Sequence, residues 1–222
     1  MINDDKTASD YGMPMLANDQ VNLGSVMPKW LGGINNTFTY KNVSLGFLFE
    51  TRQGGVIWNG TRGALTTFGV AKETEGRDID TKVFEGLNGH LGTDGKVYHY
   101  DANGIEVPGA GATNTKAVKL DQDYYEGIGG GFTINEPFME SASWVRLREL
   151  SLSYSMPKKL LDHTKYIKGI TIGFVGRNLL LWTKYKGVDP ETSLVGGNKA
   201  QGLDYFNSPG TKSYGINLKV NF

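Results

Sequence analysis

Cysteine is absent from the 222-residue sequence, which excludes disulfides, thiolate metal sites and a cysteine nucleophile. Neither sign of charge is in excess, because Lys and Arg together number 23 and Asp and Glu together also number 23. A chain without net charge has no bulk field that would draw it to nucleic acid or to an anionic membrane surface. We therefore expect no nucleic-acid partner.

Long apolar runs are also missing. No stretch of about 18 apolar residues occurs, which excludes a membrane-spanning helix, whereas the strands of a membrane barrel need only about 9 to 11 alternating residues each. Residues 1–7 lack the basic region and apolar stretch of a secretory signal peptide. If the protein is exported, we expect its true beginning to lie elsewhere.

Glycine and aromatic residues are abundant, with 31 glycines and 11% aromatics, and this composition favours an all-β domain. The clearest strand is 210–222, which alternates strictly between apolar and polar residues. Because successive side chains of a strand point to opposite faces, one face suits an apolar medium and the other suits water or a polar lumen. A transmembrane barrel strand and a half-buried soluble strand both give this alternation. The apolar set is Tyr214, Ile216, Leu218, Val220 and Phe222.

Alternation of the same kind predicts five strands in all, and the first two form a hairpin across Lys41 and Asn42. In the third strand the apolar positions change from odd to even near Arg148, and we expect a β-bulge there to absorb the slip. The predicted strands lie near 31–40, 43–57, 143–155, 169–183 and 210–222.

The connections between these strands differ greatly in length. The connection 59–142 is rich in Gly, Asn, Asp and Thr and shows no strong strand period before 129–132. A structureless loop of this length is unusual in a compact domain, but outer-membrane barrels have short turns on one side and long loops on the other. We therefore assign 41–42 and 156–168 to the periplasmic side, and 1–30, 59–142 and 183–209 to the outer side.

Six segments together resemble the C-terminal end of SusC-like, RagA-type TonB-dependent outer-membrane transporters of Bacteroidetes. The most specific ones lie within 144–222, and the resemblance extends over nearly the whole chain. The segments are Trp144-Val-Arg-Leu-Arg-Glu-Leu-Ser-Leu-Ser-Tyr-Ser-Met-Pro157, Gly176-Arg-Asn-Leu-Leu-Leu-Trp-Thr-Lys-Tyr-Lys-Gly-Val-Asp-Pro-Glu191, Gly202-Leu-Asp-Tyr-Phe206 with the terminal strand, and Pro28-Lys-Trp-Leu-Gly-Gly-Ile-Asn-Asn-Thr-Phe-Thr-Tyr-Lys-Asn-Val-Ser-Leu with Gly54-Gly-Val-Ile-Trp-Asn-Gly-Thr-Arg62.

The resemblance implies an antiparallel transmembrane β-barrel of 22 strands closed by an N-terminal plug, a class of outer-membrane transporter. The chain would then be the last five strands of one barrel domain over 1–222, with plug and preceding strands absent. Five strands cannot close, and an open sheet edge is not viable in a lipid bilayer. The chain is therefore expected to be a fragment of a longer product or a separate piece that completes a barrel.

The function implied by the resemblance is import of an oligosaccharide or peptide across the outer membrane, with no bond made or broken. A SusD-like lipoprotein would act as a lid over loops 59–142 and 183–209, and the TonB complex would supply energy through the missing N-terminal part. The alternative is a soluble β-sandwich of the cell surface that binds carbohydrate or mediates adhesion.

Charged residues on the strands fall on their polar faces, and we expect them to line the barrel lumen, because a lysine or arginine facing lipid costs about 2 to 4 kcal/mol at the bilayer midplane. The lumen-facing set is Glu50, Arg52, Arg146, Arg148 and Arg177. The set expected to face lipid is Phe47, Phe49, Leu147, Leu152, Ile172 and Phe174. Aromatic residues at strand ends are expected in the interfacial girdle of a barrel, and these are Trp58, Trp144, Trp182 and Tyr185.

A ligand site is suggested only by 121–126, where carboxylates surround two aromatic residues. The candidates are Asp121, Asp123, Tyr124 and Tyr125. The three histidines, His90, His99 and His163, show no metal-ligand spacing. Residues 3–10 lack the glycine and glutamate of a calcium loop, and 129–131 lacks the Lys and Ser/Thr of a phosphate loop. We predict no metal, cofactor or catalytic residue.

The C-terminal strand resembles the signal that the barrel-assembly machinery reads. Its apolar residues, Tyr214, Ile216, Leu218, Val220 and Phe222, are expected to serve both recognition by that machinery and closure of the barrel.

Overall fold

The computed structural model describes residues 1–16, 19–161, 166–194 and 201–222. Two compact units are present, and each is formed by two separate stretches of the chain. The loop unit comprises Met1–Leu23 and Arg62–Phe138, and the sheet unit comprises Gly24–Thr61 and Met139–Phe222. Within the described residues, no helix is both long enough and apolar enough to cross a membrane.

The elements follow one another in this order: β1 (Trp30–Tyr40), β2 (Val43–Gln53), β3 (Val56–Asn59), α1 (Gly60–Thr67), a 3₁₀ turn (Lys72–Thr74), β4 (Thr81–Val83), β5 (His90–Leu91), β6 (Val97–Tyr100), β7 (Glu106–Pro108), β8 (Ala117–Lys119), α2 (Gln122–Glu126), a second 3₁₀ turn (Glu136–Phe138), β9 (Met139–Ser141), β10 (Trp144–Ser155), α3 (Lys158–Leu161), β11 (Gly169–Thr183), β12 (Leu203–Asp204) and β13 (Ser213–Asn221).

Five long strands of the sheet unit form one antiparallel sheet in the order β1-β2-β10-β11-β13. These are the five strands that the alternation predicts, and the hairpin across Lys41 and Asn42 is confirmed. Lys41 has a positive φ of 52°, which a two-residue hairpin turn requires of at least one central residue. A short helix, α3, precedes β11.

One predicted strand boundary is wrong. The second strand was expected to run over 43–57, but β2 ends at Gln53. Gly54 and Gly55 both have positive φ, 83° and 84°, a backbone conformation that glycine adopts without steric cost and that interrupts a strand. Residues 56–59 form β3 instead, in a separate three-stranded sheet with β9 and β12.

Most apolar residues of the five long strands lie on one face of the sheet. On this face apolar residues of neighbouring strands lie directly opposite each other, with Ile34 opposite Phe49, Leu45 opposite Leu152, and Phe174 opposite Ile216. Such cross-strand pairs stabilise a sheet. The face is nevertheless open in this structure, because Phe38 is 58% exposed and Ile216 is 81% exposed. Contiguous exposed apolar surface of this kind marks a membrane or protein contact.

The predicted bulge is confirmed. The register of β10 shifts between Leu147 and Glu149 against β2 on one side and against β11 on the other. As a result Leu147 is opposite Phe49, and after the shift Leu150 is opposite Phe47. The bulge therefore keeps the apolar residues of both halves of β10 on the same face.

The long connection 59–142 is not a structureless loop. Its residues 62–138 fold together with residues 1–23 into the loop unit, which contains a β4–β8 pair, a three-stranded β5-β6-β7 sheet and the short helix α2. Its core consists of Ile2, Phe84 and Val118. The expected strand period near 129–132 is wrong, since those residues form turns. Elements of two to five residues are too short to give a periodic signal.

The second sheet of the sheet unit packs around Ile57, Ala142 and Tyr185. Asp204 is fully buried there, and it accepts hydrogen bonds from the Tyr185 hydroxyl at 2.5 Å and from Thr61 Oγ1 at 3.1 Å. Burial, together with this bond to the carboxylate, raises the pKa of Tyr185 above its ordinary value. The phenol therefore remains a donor to Asp204 and fixes the end of β12 against the segment that follows β11.

Candidate functional site

The strongest concentration of charge in the sheet unit lies on the polar face of the five-stranded sheet. Glu50, Arg146 and Arg148, three of the residues expected to face a lumen, meet there across β2 and β10. Two acidic residues that follow β11, Asp189 and Glu191, complete the group. These five residues are called the arginine cluster below.

Arg148 is held by three partners. Its Nε donates to Glu50 Oε2 at 2.6 Å, its Nη1 to Asn178 Oδ1 at 3.0 Å and its Nη2 to Glu191 Oε1 at 2.7 Å. Charge-assisted bonds of this length are strong and directional. The guanidinium group is therefore fixed in position on the sheet surface.

Arg146 is almost completely buried, with 4% of its surface exposed. Its Nη2 donates to Asp189 Oδ1 at 2.7 Å, and its Nε lies 2.8 Å from Glu191 Oε2 in an ion pair. A buried charge is tolerated only when it is paired. Arg146 therefore requires the turn that carries Asp189 and Glu191 to fold back onto the polar face of the sheet.

Asp189 and Glu191 were not among the predicted site residues. Their segment was assigned to an outward loop, 183–209, and residues 195–200 of that loop lie outside the described residues. The signal that was available is the Val-Asp-Pro-Glu sequence in the motif that resembles the transporter family. The spacing of residues cannot show which face of a sheet a following turn will cover.

Trp144 lies beneath the cluster. It is 6% exposed, and the guanidinium carbons of Arg146 and Arg148 lie 5.7 and 5.5 Å from its ring centroid, within the range of cation–π attraction. Its expected place in an interfacial girdle is wrong, because its neighbour Val145 is the residue that pairs with Trp182 on the apolar face.

Two other residues of the expected girdle also lie elsewhere. Trp58 is part of β3 and stacks on Tyr205 at 6.1 Å, and Tyr185 is buried against Asp204. Trp182 alone of the four lies on the exposed apolar face of the five-stranded sheet. Odd and even positions along the strands distinguish Trp182 from Trp144. To place Trp58 correctly, one must also know that β2 ends at Gln53.

The remaining two arginines of the lumen-facing set do not join the cluster. Arg52 Nη2 donates to the main-chain oxygen of Val26 at 2.6 Å. Arg177 Nε donates to Glu149 Oε2 at 3.1 Å in an ion pair that is largely exposed. Both lie on the polar side of their strands, and their orientation toward a lumen stays a prediction.

The loop unit contains the four residues predicted to bind a ligand. Tyr124 and Tyr125 line a cavity of about 510 Å³, together with Arg62, Glu73, Lys82 and Phe84. Asp121 instead caps α2, since its Oδ1 accepts from the main-chain N–H of Tyr124 at 3.1 Å. Asp123 lies exposed in the first turn of α2, outside the cavity lining. A ligand role for the four stays a prediction.

His90 lies between two carboxylates of the loop unit. Its Nδ1 is 2.8 Å from Asp4 Oδ1 and its Nε2 is 2.8 Å from Glu106 Oε1, while Tyr100 stacks on the ring at 4.6 Å. Burial opposes protonation of the ring, but the hydrogen bonds and charges of Glu106 and Asp4 outweigh it and raise the pKa of His90. The ring joins the N-terminal segment to β7.

His99 does not take part in this bridge. His99 Nδ1 pairs with the main-chain oxygen of Gly109 at 2.8 Å, and His163 lies outside the described residues. In the part of the chain that the structure describes, no group of three or more His, Asp or Glu residues could hold a metal ion.

Comparison with known proteins shows which molecules this chain is similar to. No family model matches the chain. TonB-dependent receptor P26 of Formosa agariphila is 26% identical over 216 residues, which is 92% of this chain and 18% of that receptor. TonB-dependent receptor P3 of the same organism is 25% identical over 209 residues, which is 92% of this chain and 17% of that receptor.

Solved structures agree with the sequence matches. The structure of the RagAB peptide transporter superimposes with a TM-score of 0.52 and 23% identity, over 90% of this chain and 18% of that chain. The RagAB peptide importer in its open-open state gives a TM-score of 0.51 and 20% identity, with the same coverage. The chain resembles one part of a SusC/RagA-like TonB-dependent transporter.

The resemblance deduced from the sequence motifs is therefore confirmed, and so is the all-β, antiparallel class of the fold. The chain spans less than a fifth of the length of the relatives that it matches. The five long strands of the described chain do not close on themselves. The number of strands in a complete barrel stays a prediction.

We predict that Asp189→Asn destabilises the turn that carries it. Removing one partner of a buried ion pair costs about 3–5 kcal/mol, and the pairing of Arg146 with Glu191 will reduce that cost. Hydrogen exchange at residues 186–194 of the full-length protein should accelerate by at least about tenfold, the factor for each 1.4 kcal/mol.

The control for Asp189→Asn is Glu149→Gln, which breaks the exposed pair with Arg177. Exposed pairs contribute about 0–1 kcal/mol, so exchange in Glu149→Gln should stay close to that of the wild type. Equal exchange in the two variants would contradict a supporting role for the buried pair.

We also predict that the contacts of His90 weaken as the pH rises. Because its pKa is raised in the folded protein, the stabilisation is complete below the unfolded value of about 6.5 and is lost as the pH rises through the folded value. Protection from hydrogen exchange at residues 2–5 and 98–106, corrected for intrinsic rates, should therefore fall as the pH is raised above about 6.5.

A matched pair of variants separates the two loop-unit histidines. His90→Gln should abolish this pH dependence, whereas His99→Gln should retain it because His99 contacts a main-chain oxygen rather than the two carboxylates. Protection that does not change with pH in the wild type would rule out a charged His90 bridge.

Proposed function

We propose that the chain is the C-terminal barrel portion of an outer-membrane transporter that imports an oligosaccharide or a peptide with energy from the TonB complex. The observation that carries the proposal is the two-faced antiparallel sheet. One face is a continuous, exposed apolar surface and the other carries buried, paired charges. A lipid-facing wall with a polar lumen has this construction.

The apolar face supports a membrane position for the strands. Phe47, Phe49, Leu147, Leu152, Ile172 and Phe174 belong to the face that we assign to lipid. Leu45, Leu152, Phe174 and Ile216 form an unbroken row of opposed residues across four strands. Lipid chains can cover such a face without any specific partner, because hydrophobic burial does not depend on direction.

The open edges of the sheet support a larger barrel. Neither β1 nor β13 pairs with a further strand on its outer side within the described residues. Unpaired main-chain groups are too costly to leave in lipid. The proposal therefore requires neighbouring barrel strands at both edges and, in the lumen, a plug that meets the polar face.

The loop unit is the part of the chain that we place outside the membrane. It has its own small core and carries several exposed apolar residues, among them Phe68 and Phe132, which touch each other at a ring distance of 6.0 Å. We propose that this unit contacts a SusD-like lipoprotein lid and that its cavity at Tyr124 and Tyr125 helps to recognise the ligand.

A soluble β-sandwich is the alternative function class, and one observation weighs against it. A sandwich covers its apolar face with a second sheet. Within the described residues, the strands of the sheet unit leave large side chains such as Tyr40, Ile216 and Phe222 more than 70% exposed. Partition of the chain into the aqueous phase without detergent would favour the sandwich.

The function is tested by uptake in cells that produce the full-length transporter. We expect uptake of labelled peptides or maltooligosaccharides that stops when the TonB complex is disabled.

Deleting residues 110–135 removes Val118 from the core of the loop unit, and it should weaken association with the lipoprotein or uptake. A short insertion after Asn103 is the control, because the turn there is exposed. Unchanged association and transport in the deletion variant would show that the loop unit contributes to neither process.

Assembly gives a second prediction for the same protein. Deleting Phe222, or replacing Tyr214 and Phe222 with Ser, should sharply lower the amount of transporter in the outer membrane. Burial of two aromatic side chains contributes only a few kcal/mol, too little to unfold a completed large barrel, so a strong loss would indicate failed insertion. A normal amount of transporter in the outer membrane, with only a lower melting temperature, would mean that β13 is part of the barrel wall and is not a signal for the assembly machinery.

A further inference from the structure

Asn178 interrupts the regular backbone of β11. Its φ of 53° is positive, a conformation that is uncommon outside glycine but that asparagine tolerates. The ladder between β10 and β11 shifts its register immediately after Arg177, where β11 has one residue more than β10. The ladder between β11 and β13 ends at the same place, with Arg177 opposite Ser213. Asn178 therefore lies where the pairing of β13 with β11 begins.

The side-chain amide of Asn178 connects the two neighbours of β11. Its Oδ1 accepts from Arg148 Nη1 at 3.0 Å, and its Nδ2 donates to the main-chain oxygen of Thr211 at 3.1 Å. A guanidinium group only donates and a main-chain carbonyl only accepts, so these two partners fix which way the amide points. Arg148 is itself held by Glu50 and Glu191. Asn178 therefore ties the chain that leads into β13 to a fixed point on β10.

A second contact holds the same part of the chain. Gly210 passes so close to Asp189 that a Cβ built on the glycine would lie 2.7 Å from Asp189 Oδ2. Asp189 cannot move away freely, because it is buried and paired with Arg146. Residues 210–211 are thus positioned by the arginine cluster, directly through Asp189 and indirectly through Asn178.

The strand β13 needs such a fixed point because its own sequence does not define its register. Apolar residues occupy every second position from Tyr214 to Phe222, and the same holds for β11 from Ile170 to Phe174. A slip of one residue would turn every side chain of β13 to the wrong face. A slip of two residues keeps every apolar residue on its face, so the alternation does not exclude it.

One contact within the ladder is a competing means of setting the register. Asn217 lies over Gly173, since a Cβ built on the glycine would collide with Asn217 Oδ1. The side chain of Asn217 is exposed, however, and an exposed side chain can turn away at little cost. Asn178 differs from it because its amide is bonded at both ends.

We propose that Asn178 is a positioning residue that sets the register of β13 against β11, by joining Arg148 to the main chain at Thr211. The register itself does not depend on the transport function proposed above, but its consequence rests on that function. In a closed barrel β13 also pairs with a strand beyond its outer edge, and the registers of all ladders must be mutually consistent. An error at Asn178 would therefore hinder closure.

The test traps the register with pairs of cysteines, which this chain otherwise lacks, introduced into the full-length transporter. Ile172→Cys with Leu218→Cys reports the register of the structure, in which these two residues are directly opposite. Ile172→Cys with Ile216→Cys or with Val220→Cys reports a slip of two residues in either direction. A disulfide forms only when the Cα atoms lie within about 7 Å. Linked peptides are quantified by mass spectrometry after oxidation and proteolysis.

The readout is the ratio of native to slipped linkage. Asn178→Gly keeps the positive φ without steric cost and removes both hydrogen bonds, and it should lower this ratio about tenfold or more. Asn178→Asp keeps an acceptor for Arg148 but has no N–H for Thr211, and it should lower the ratio in the same direction. The matched control is Asn217→Ser, which removes the other amide and should leave the ratio unchanged.

An unchanged ratio in both Asn178 variants, with only a lower melting temperature, would overturn the proposal, because Asn178 would then support the fold without selecting the register. A ratio lowered by Asn217→Ser alone would assign the register to the contact with Gly173. If Asn178→Gly does not accumulate, Asn178→Asp decides by the same measurement. A lowered ratio in the Asn178 variants, together with a wild type that shows no TonB-dependent uptake, would support the positioning role and contradict only the proposed transport.

Discussion

The register of β10 against its two neighbours is the constraint on which the rest of the sheet depends. Because side chains alternate along a strand, a slip of one residue moves every following side chain to the other face. The bulge between Leu147 and Glu149 makes one such slip where the sequence itself changes parity. It keeps Leu152 and Tyr154 with the apolar face and places Arg148 beside Glu50.

In that register Arg146 is buried on the polar face, and its charge must be paired there. A guanidinium group with 4% exposure requires carboxylates at close range, and the turn after β11 supplies Asp189 and Glu191. The same turn follows Tyr185, which is tied to the buried Asp204. The segment that follows β11 is thus held by two buried polar contacts, one to Arg146 of β10 and one to Asp204 of β12.

The loop unit follows a different logic, in which short elements depend on contacts between distant parts of the sequence. Ile2 packs with Phe84 and Val118, and Asp4 accepts from the main chain of Tyr100 while it pairs with His90. Elements of two to five residues gain little stability from their own hydrogen bonds. Their arrangement therefore comes from a small core and from side-chain bonds that no local pattern reveals.

The sequence by itself determined the five long strands, their hairpin, the bulge near Arg148 and the separation of apolar from charged residues, because all of these follow from an alternation with a period of two. The motifs in 144–222 also determined the family that the chain resembles. Only the tertiary structure decided that Asp189 and Glu191 pair with Arg146, that Trp144 lies under the guanidinium groups, and that residues 62–138 join the N-terminal segment in a folded unit. These features depend on contacts between residues that are far apart in the chain, and local periodicity carries no information about such contacts.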